Sequence, residues 1–64
     1  MYQRIEENKG FKRITTVYAD GGYIQFVLWD DGIKTGITKT DIFKMGWSSL
    51  TEFLQNKPQF KKVA

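Results

Sequence analysis

Apolar positions in the middle of this chain follow a period of two, and those near its C-terminus follow helical spacing. The period-two signal centres on Tyr23-Ile24-Gln25-Phe26-Val27-Leu28-Trp29, set between Asp20-Gly21-Gly22 and Asp30-Asp31-Gly32. Gly enters the left-handed region freely and Asp tolerates it, so both flanks read as turns. The segment between them reads as the middle strand of an antiparallel meander over residues 11–39. Upstream, Tyr2 to Glu6 alternate weakly and predict an edge strand. The turn Glu7-Asn8-Lys9-Gly10 then leads into the Thr- and Val-rich run Phe11 to Ala19.

After Lys39 the period changes. Thr40-Asp41 can cap a short helical turn through Ile42, Phe43 and Met45, which Gly46 would end. Ser49-Leu50-Thr51-Glu52 fits a helix capping box, with Trp47 upstream to pack against the new helix. Leu50, Phe53 and Leu54 then lie on one apolar stripe. The expectation is a helical segment over 40–57 and, from Pro58 onward, a frayed basic tail over 58–64.

Turn length fixes which side chains share a sheet face, because shifting a strand by one residue turns every side chain over. A two-residue loop at Asp20-Gly21 or Gly21-Gly22 puts Phe11, Arg13, Thr15, Val17 and Ala19 with Ile24, Phe26 and Leu28. Lys12, Ile14, Thr16 and Tyr18 then join Tyr23, Gln25, Val27 and Trp29. A three-residue loop would reverse the relationship. A two-residue turn at Asp31-Gly32 adds Ile33 and Ile37 to the Ile24/Phe26/Leu28 face, and Lys34, Gly36 and Thr38 to the Tyr23/Trp29 face. The helix needs a surface for its stripe, and Ile24, Phe26 and Leu28 offer the largest. The predicted architecture is α+β: a three- to four-stranded antiparallel β-meander with a C-terminal α-helix packed on one face.

Composition narrows the function classes. Sixty-four residues make one domain, 1–64, and a chain this short buries only about 60% of its unfolded surface. Neither Cys nor His occurs, which excludes disulfides, thiolate catalysis and Cys/His zinc sites. Ten Lys/Arg against seven Asp/Glu leave a net charge of +3, compatible with phosphate or with acidic proteins. No apolar run approaches the ~18 residues of a membrane span, and Met1 to Glu7 lacks the form of a signal peptide. A cytoplasmic protein that touches no membrane is the expectation.

Catalysis is not expected. Asp30 and Asp31 diverge at a strand end and serve the turn, and two carboxylates are too few for a hard cation. Gly21-Gly22 lacks the spacing and the following helix of a phosphate loop. No cofactor or metal is therefore anticipated. The predicted Tyr23/Trp29 face interleaves flat aromatics with cations, as single-stranded nucleic acid requires: bases stack and phosphates meet Lys. The candidate binding residues are Lys12, Tyr18, Tyr23, Gln25, Trp29 and Lys34, with Lys9, Lys39, Lys57, Lys61 and Lys62 widening the field. The same residues could instead simply cover the outer sheet face, the lysine stems packing on Trp29. Trp and Tyr also dominate protein interfaces, and open sheet edges invite a partner strand or a homodimer. The alternative expectation is thus a protein-binding regulator or inhibitor of a larger machine.

The meander followed by Gly36-Ile37-Thr38-Lys39 and a helix resembles, in order and length over 11–56, the single-strand-binding fold of the PC4 transcriptional coactivators. Gly46-Trp47-Ser48-Ser49-Leu50-Thr51-Glu52-Phe53 is similar to a helix-start phrase of the ASCH domains, which are longer. Both likenesses imply nucleic acid as partner. The two helical pieces flanking Gly46 also resemble a helix-turn-helix in outline, but they lack a third supporting helix. Thr51, Glu52 and Gln55 would moreover give the second piece no basic reading edge.

Overall fold

The computed structural model describes every residue from Met1 to Ala64. Four strands follow one another as antiparallel neighbours: β1 (Tyr2–Asn8), β2 (Phe11–Val17), β3 (Gly22–Trp29) and β4 (Lys34–Asp41). Helix α1 (Leu50–Asn56) and a two-residue strand, β5 (Lys61–Lys62), complete the chain. The sheet order is β4-β3-β2-β1-β5. The α+β class holds, with five strands instead of three or four. The added strand comes from the tail expected to fray: Lys61 and Lys62 pair with Gln3 and Tyr2, and Phe60 just before them is buried.

Both central turns are one residue longer than expected. Tyr18 N donates to Gly22 O at 2.8 Å and Gly21 N to Tyr18 O at 2.9 Å, enclosing Ala19-Asp20-Gly21. This is the three-residue hairpin in which a type I turn ends on a left-handed residue, and Gly21 supplies that residue at φ +93°. Asp20 Oδ1 secures the turn by accepting from Gly22 N. Val17 therefore opposes Tyr23, and Ile14 opposes Phe26. At the second turn Trp29 N donates to Ile33 O and Gly32 N to Trp29 O, so Asp30-Asp31-Gly32 is the loop and Lys34 opposes Leu28. A bulge between Gln25 and Val27, with Gly36 at φ +62° across from it, restores the expected pairing of Gln25 with Thr38 and Ile24 with Lys39.

The longer first turn reverses the predicted faces. One face carries Tyr2, Arg4, Glu6 and Asn8, then Phe11, Arg13, Thr15 and Val17, then Tyr23, Gln25, Val27 and Trp29. The other carries Gln3, Ile5 and Glu7, then Lys12, Ile14 and Thr16, then Ile24, Phe26 and Leu28. Alternation adds Thr38 and Thr40 to the first face, and Ile37 and Lys39 to the second.

The helix lies on the first face, contrary to expectation. Val17, Ile42, Phe53 and Phe60 form the buried core, with Tyr2, Tyr23, Trp47, Leu50 and Leu54 packed around it. These strand positions cluster beside the 19–21 turn, so the helical cover occupies one end of an elongated molecule of 37 × 19 × 19 Å. Residues 42–46 form turns and not a helix: Asp41 Oδ1 caps Lys44 N, and Ile42 O accepts from both Met45 N and Trp47 N. Ser49 caps α1 through Glu52 N as expected. Trp47 meets Phe53 edge-on at 5.5 Å.

Candidate functional site

Of the six residues expected to share a face, the register separates three from three. Tyr23, Gln25 and Trp29 stand on the helix-bearing face; Lys12 and Lys34 stand on the helix-free face, and Tyr18 leans to that side beside Gly22. Tyr23 is largely structural. Its ring packs on the core and its hydroxyl donates to Gln25 Oε1 at 2.7 Å, an oxygen that also accepts from Thr15 Oγ1. Tyr18 is exposed at the 19–21 turn, at the opposite end of β2 and β3 from Trp29.

The other end of the sheet brings a different set together. Trp29 is 42% exposed, yet it is held on two sides. Phe11, directly opposite on β2, packs against it with ring centroids 5.2 Å apart, and its Nε1 donates to Thr35 Oγ1 at 2.8 Å. Such a side chain presents a flat apolar surface with little rotamer freedom left to lose on binding. Phe11 and Thr35 are functional candidates the sequence reading missed. Phe11 was visible as a strand residue, but only the three-residue turn puts it opposite Trp29.

Cations surround this end. Lys12 and Lys34 flank Leu28 in one row on the helix-free face, and Arg13 follows Phe11 by two positions on the Trp29 face. A shallow cavity of about 260 Å³, lined by Lys12, Leu28, Trp29, Asp30 and Gly32, joins Lys12 to Trp29. Asp30 N donates to Gly10 O, which ties the 30–32 turn to the neighbouring 9–10 turn and fixes the rim. Carboxylates partly compensate the cations: Glu7 lies 3.8 Å from Lys12, and Glu6 sits between Arg4 at 3.4 Å and Arg13 at 3.7 Å. Lys34 has no carboxylate partner, and its ammonium stands 4.8 Å from the centre of the Phe26 ring.

No protein-family profile, curated protein or solved structure matches this chain. The site therefore stands on its own chemistry. It combines a braced indole, a tilted phenyl ring packed against it, a shallow cavity and cations on both sheet faces. The helix-free face is of another kind. Ile14, Ile24, Phe26 and Leu28 are half-buried against one another there, while Ile5 and Ile37 are 53% and 59% exposed. No helix is long and apolar enough to cross a membrane.

Proposed function

We propose that this chain is a small, non-enzymatic domain that binds single-stranded nucleic acid at the Trp29 end of its sheet. Trp29 carries the reading: it is exposed, braced by Phe11 and Thr35, and shares a cavity with Lys12. A base stacks on Trp29, a contact worth about 1–3 kcal/mol. Lys12, Lys34 and Arg13 meet phosphates on either side, and Asp30 offers its carboxylate to an exocyclic amine. Gln25 and Tyr23 act farther along the same face, where their side chains support the floor of the sheet; Tyr18 takes no part. A duplex holds its bases in the stack and cannot reach an indole lying against a sheet end, so single strands are preferred.

The test is a fluorescence titration of the Trp47→Phe variant, in which Trp29 is the remaining indole, with single- and double-stranded oligonucleotides at two salt concentrations. The reading expects single-strand binding in the micromolar range that weakens steeply with salt. Trp29→Ala, followed by anisotropy of a dye-labelled oligonucleotide because it removes the reporting indole, should abolish binding while the far-UV circular dichroism spectrum and Tm stay near wild type. Absence of salt-sensitive binding would overturn the reading and favour the second one, a protein-binding regulator or inhibitor. The apolar helix-free face is what supports that alternative.

A further inference from the structure

The helix-free face is the least explained surface of the molecule. Only four hydrophobic residues are buried, and all belong to the core beneath the helix. The six apolar side chains Ile5, Ile14, Ile24, Phe26, Leu28 and Ile37 gather on the opposite face, outside the buried core, with only the Lys34 side chain over Phe26. Contiguous apolar patches of this kind on a small domain are rarely left to water.

We propose that a second copy of this chain covers this face, the two sheets stacked about a two-fold axis that runs parallel to the strands, midway between β2 and β3. This goes beyond the nucleic-acid reading and does not depend on it, and the two compete for Lys12 and Lys34, which the stacked sheets withdraw from phosphate. Two observations select a second copy and this axis. The first is charge. Reading across the face, one row is Glu7, Lys12, Leu28, Lys34; the next is Ile5, Ile14, Phe26 and the bulged stretch with Ile37; the third is Gln3, Thr16, Ile24, Lys39. Rotation about the proposed axis keeps each row in place and reverses its order. Glu7 of one copy then lies over Lys34 of the other, Lys12 over Leu28, Ile14 over Phe26 and Gln3 over Lys39. Lys34, which lacks a carboxylate partner within its own chain, gains Glu7 of the other copy, which that copy's Lys12 then shares, and the two-fold makes this pair twice. The other in-plane axis, perpendicular to the strands, would put Lys34 over Lys39 of the partner copy twice, and like charges facing each other disfavour it.

The second observation is size. Four strands of seven or eight residues cover roughly 20 by 20 Å from standard strand spacing and rise, and side-chain relief enlarges the area further. Two such faces together give about 800 Å² before side-chain relief, in the range below ~1,200 Å² that weak, transient interfaces occupy. Sheets of this width pack in near alignment about 10 Å apart, so the central Ile14 and Phe26 of each copy interdigitate. Because the axis preserves rows, both Trp29 ends emerge at the same end of the assembly, on its two outer faces.

Sedimentation equilibrium or light scattering of the full chain from about 1 µM up to about 500 µM tests the proposal, a range wide enough to reach a weak association. A monomer–dimer equilibrium within that range is expected. Ile14→Lys should shift dissociation at least tenfold while circular dichroism shows an intact fold. Glu7→Lys should weaken the dimer and Glu7→Lys with Lys34→Glu should restore it, a rescue that a nonspecific apolar association would not show. A monomer throughout the range, or a dimer indifferent to Ile14→Lys and to the charge exchange, overturns the proposal.

Discussion

Two valines on one face provide a direct measure of where the helix lies. Val17, at the end of β2, and Val27, inside β3, both sit on the helix-bearing face, but Val17 is fully buried whereas Val27, farther toward the Trp29 end, is half-buried. Replacing Val17 with Ala removes two methyl groups from beneath Phe53 and Ile42. At about 0.8 kcal/mol per buried carbon this loses ~1.6 kcal/mol in transfer free energy, and the residual void raises the total to roughly 2–2.5 kcal/mol. Val27→Ala removes the same atoms from a site that water already reaches, so its cost is about 0.5–1 kcal/mol. A domain of this length has only ~3–10 kcal/mol of stability, so the first change is a large fraction of the whole. The difference of about 1.5 kcal/mol corresponds to roughly 6–12 °C in Tm. Urea unfolding followed by far-UV circular dichroism, at a concentration where the protein is monomeric, reads both values with the slope m unchanged. Equal costs, or a larger cost at Val27, would refute the placement of the helix beside the 19–21 turn.

Two further outcomes follow from the same packing. Phe60→Ala should cost about 3 kcal/mol in an unfolding experiment, because Phe60 is buried, meets Phe53 at 5.1 Å and lies under the Arg4 guanidinium; Val63→Ala, three residues on and exposed, should cost less than ~0.5 kcal/mol. Gly21→Ala should destabilise by about 2–3 kcal/mol, since it combines left-handed backbone with a Cβ only 2.6 Å from the Phe43 ring, whereas Gly10→Ala, left-handed but in open space, should cost about 1 kcal/mol. Equal thermal shifts for the two glycine variants would refute the contact between the turn and Phe43.

The sequence made the strands legible because alternation and turn residues are local signals. Tyr23 to Trp29 appears as a strand at the centre of the meander, and Ser49 caps its helix where the box places it. The facing of those strands was not legible, because it hangs on one residue of turn length. Ala19-Asp20-Gly21 and Asp20-Gly21 are both good turn phrases, and only the hydrogen bond from Tyr18 to Gly22 separates them. That single residue moved Lys12 away from Trp29's face and exchanged the helix's partner from Ile24/Phe26/Leu28 to Val17/Tyr23, and the matching extra residue in the 30–32 turn moved Lys34. Long-range closure was equally invisible: nothing local in Gln59-Phe60-Lys61-Lys62 announces a strand that pairs back to Tyr2 and Gln3. Of the site, Trp29 and Lys12 come together at one cavity, and the aromatic partner of Trp29 had to await the register.

The two margins of the sheet differ in how they meet other chains. On one side β5 shields only the first residues of β1 and presents two lysines outward from a strand too short to template another. On the other, β4 runs eight residues with its outer backbone groups free, a length that could recruit a further strand and begin a fibre. The bulge and the left-handed Gly36 interrupt that ladder in its middle, and Lys34 and Lys39 stand on either side of the break. An incoming strand would find only short regular stretches and a positive charge next to each. The irregularity that restores the register of β3 and β4 therefore also works against strand addition at this edge, and straightening it would favour edge-to-edge assembly.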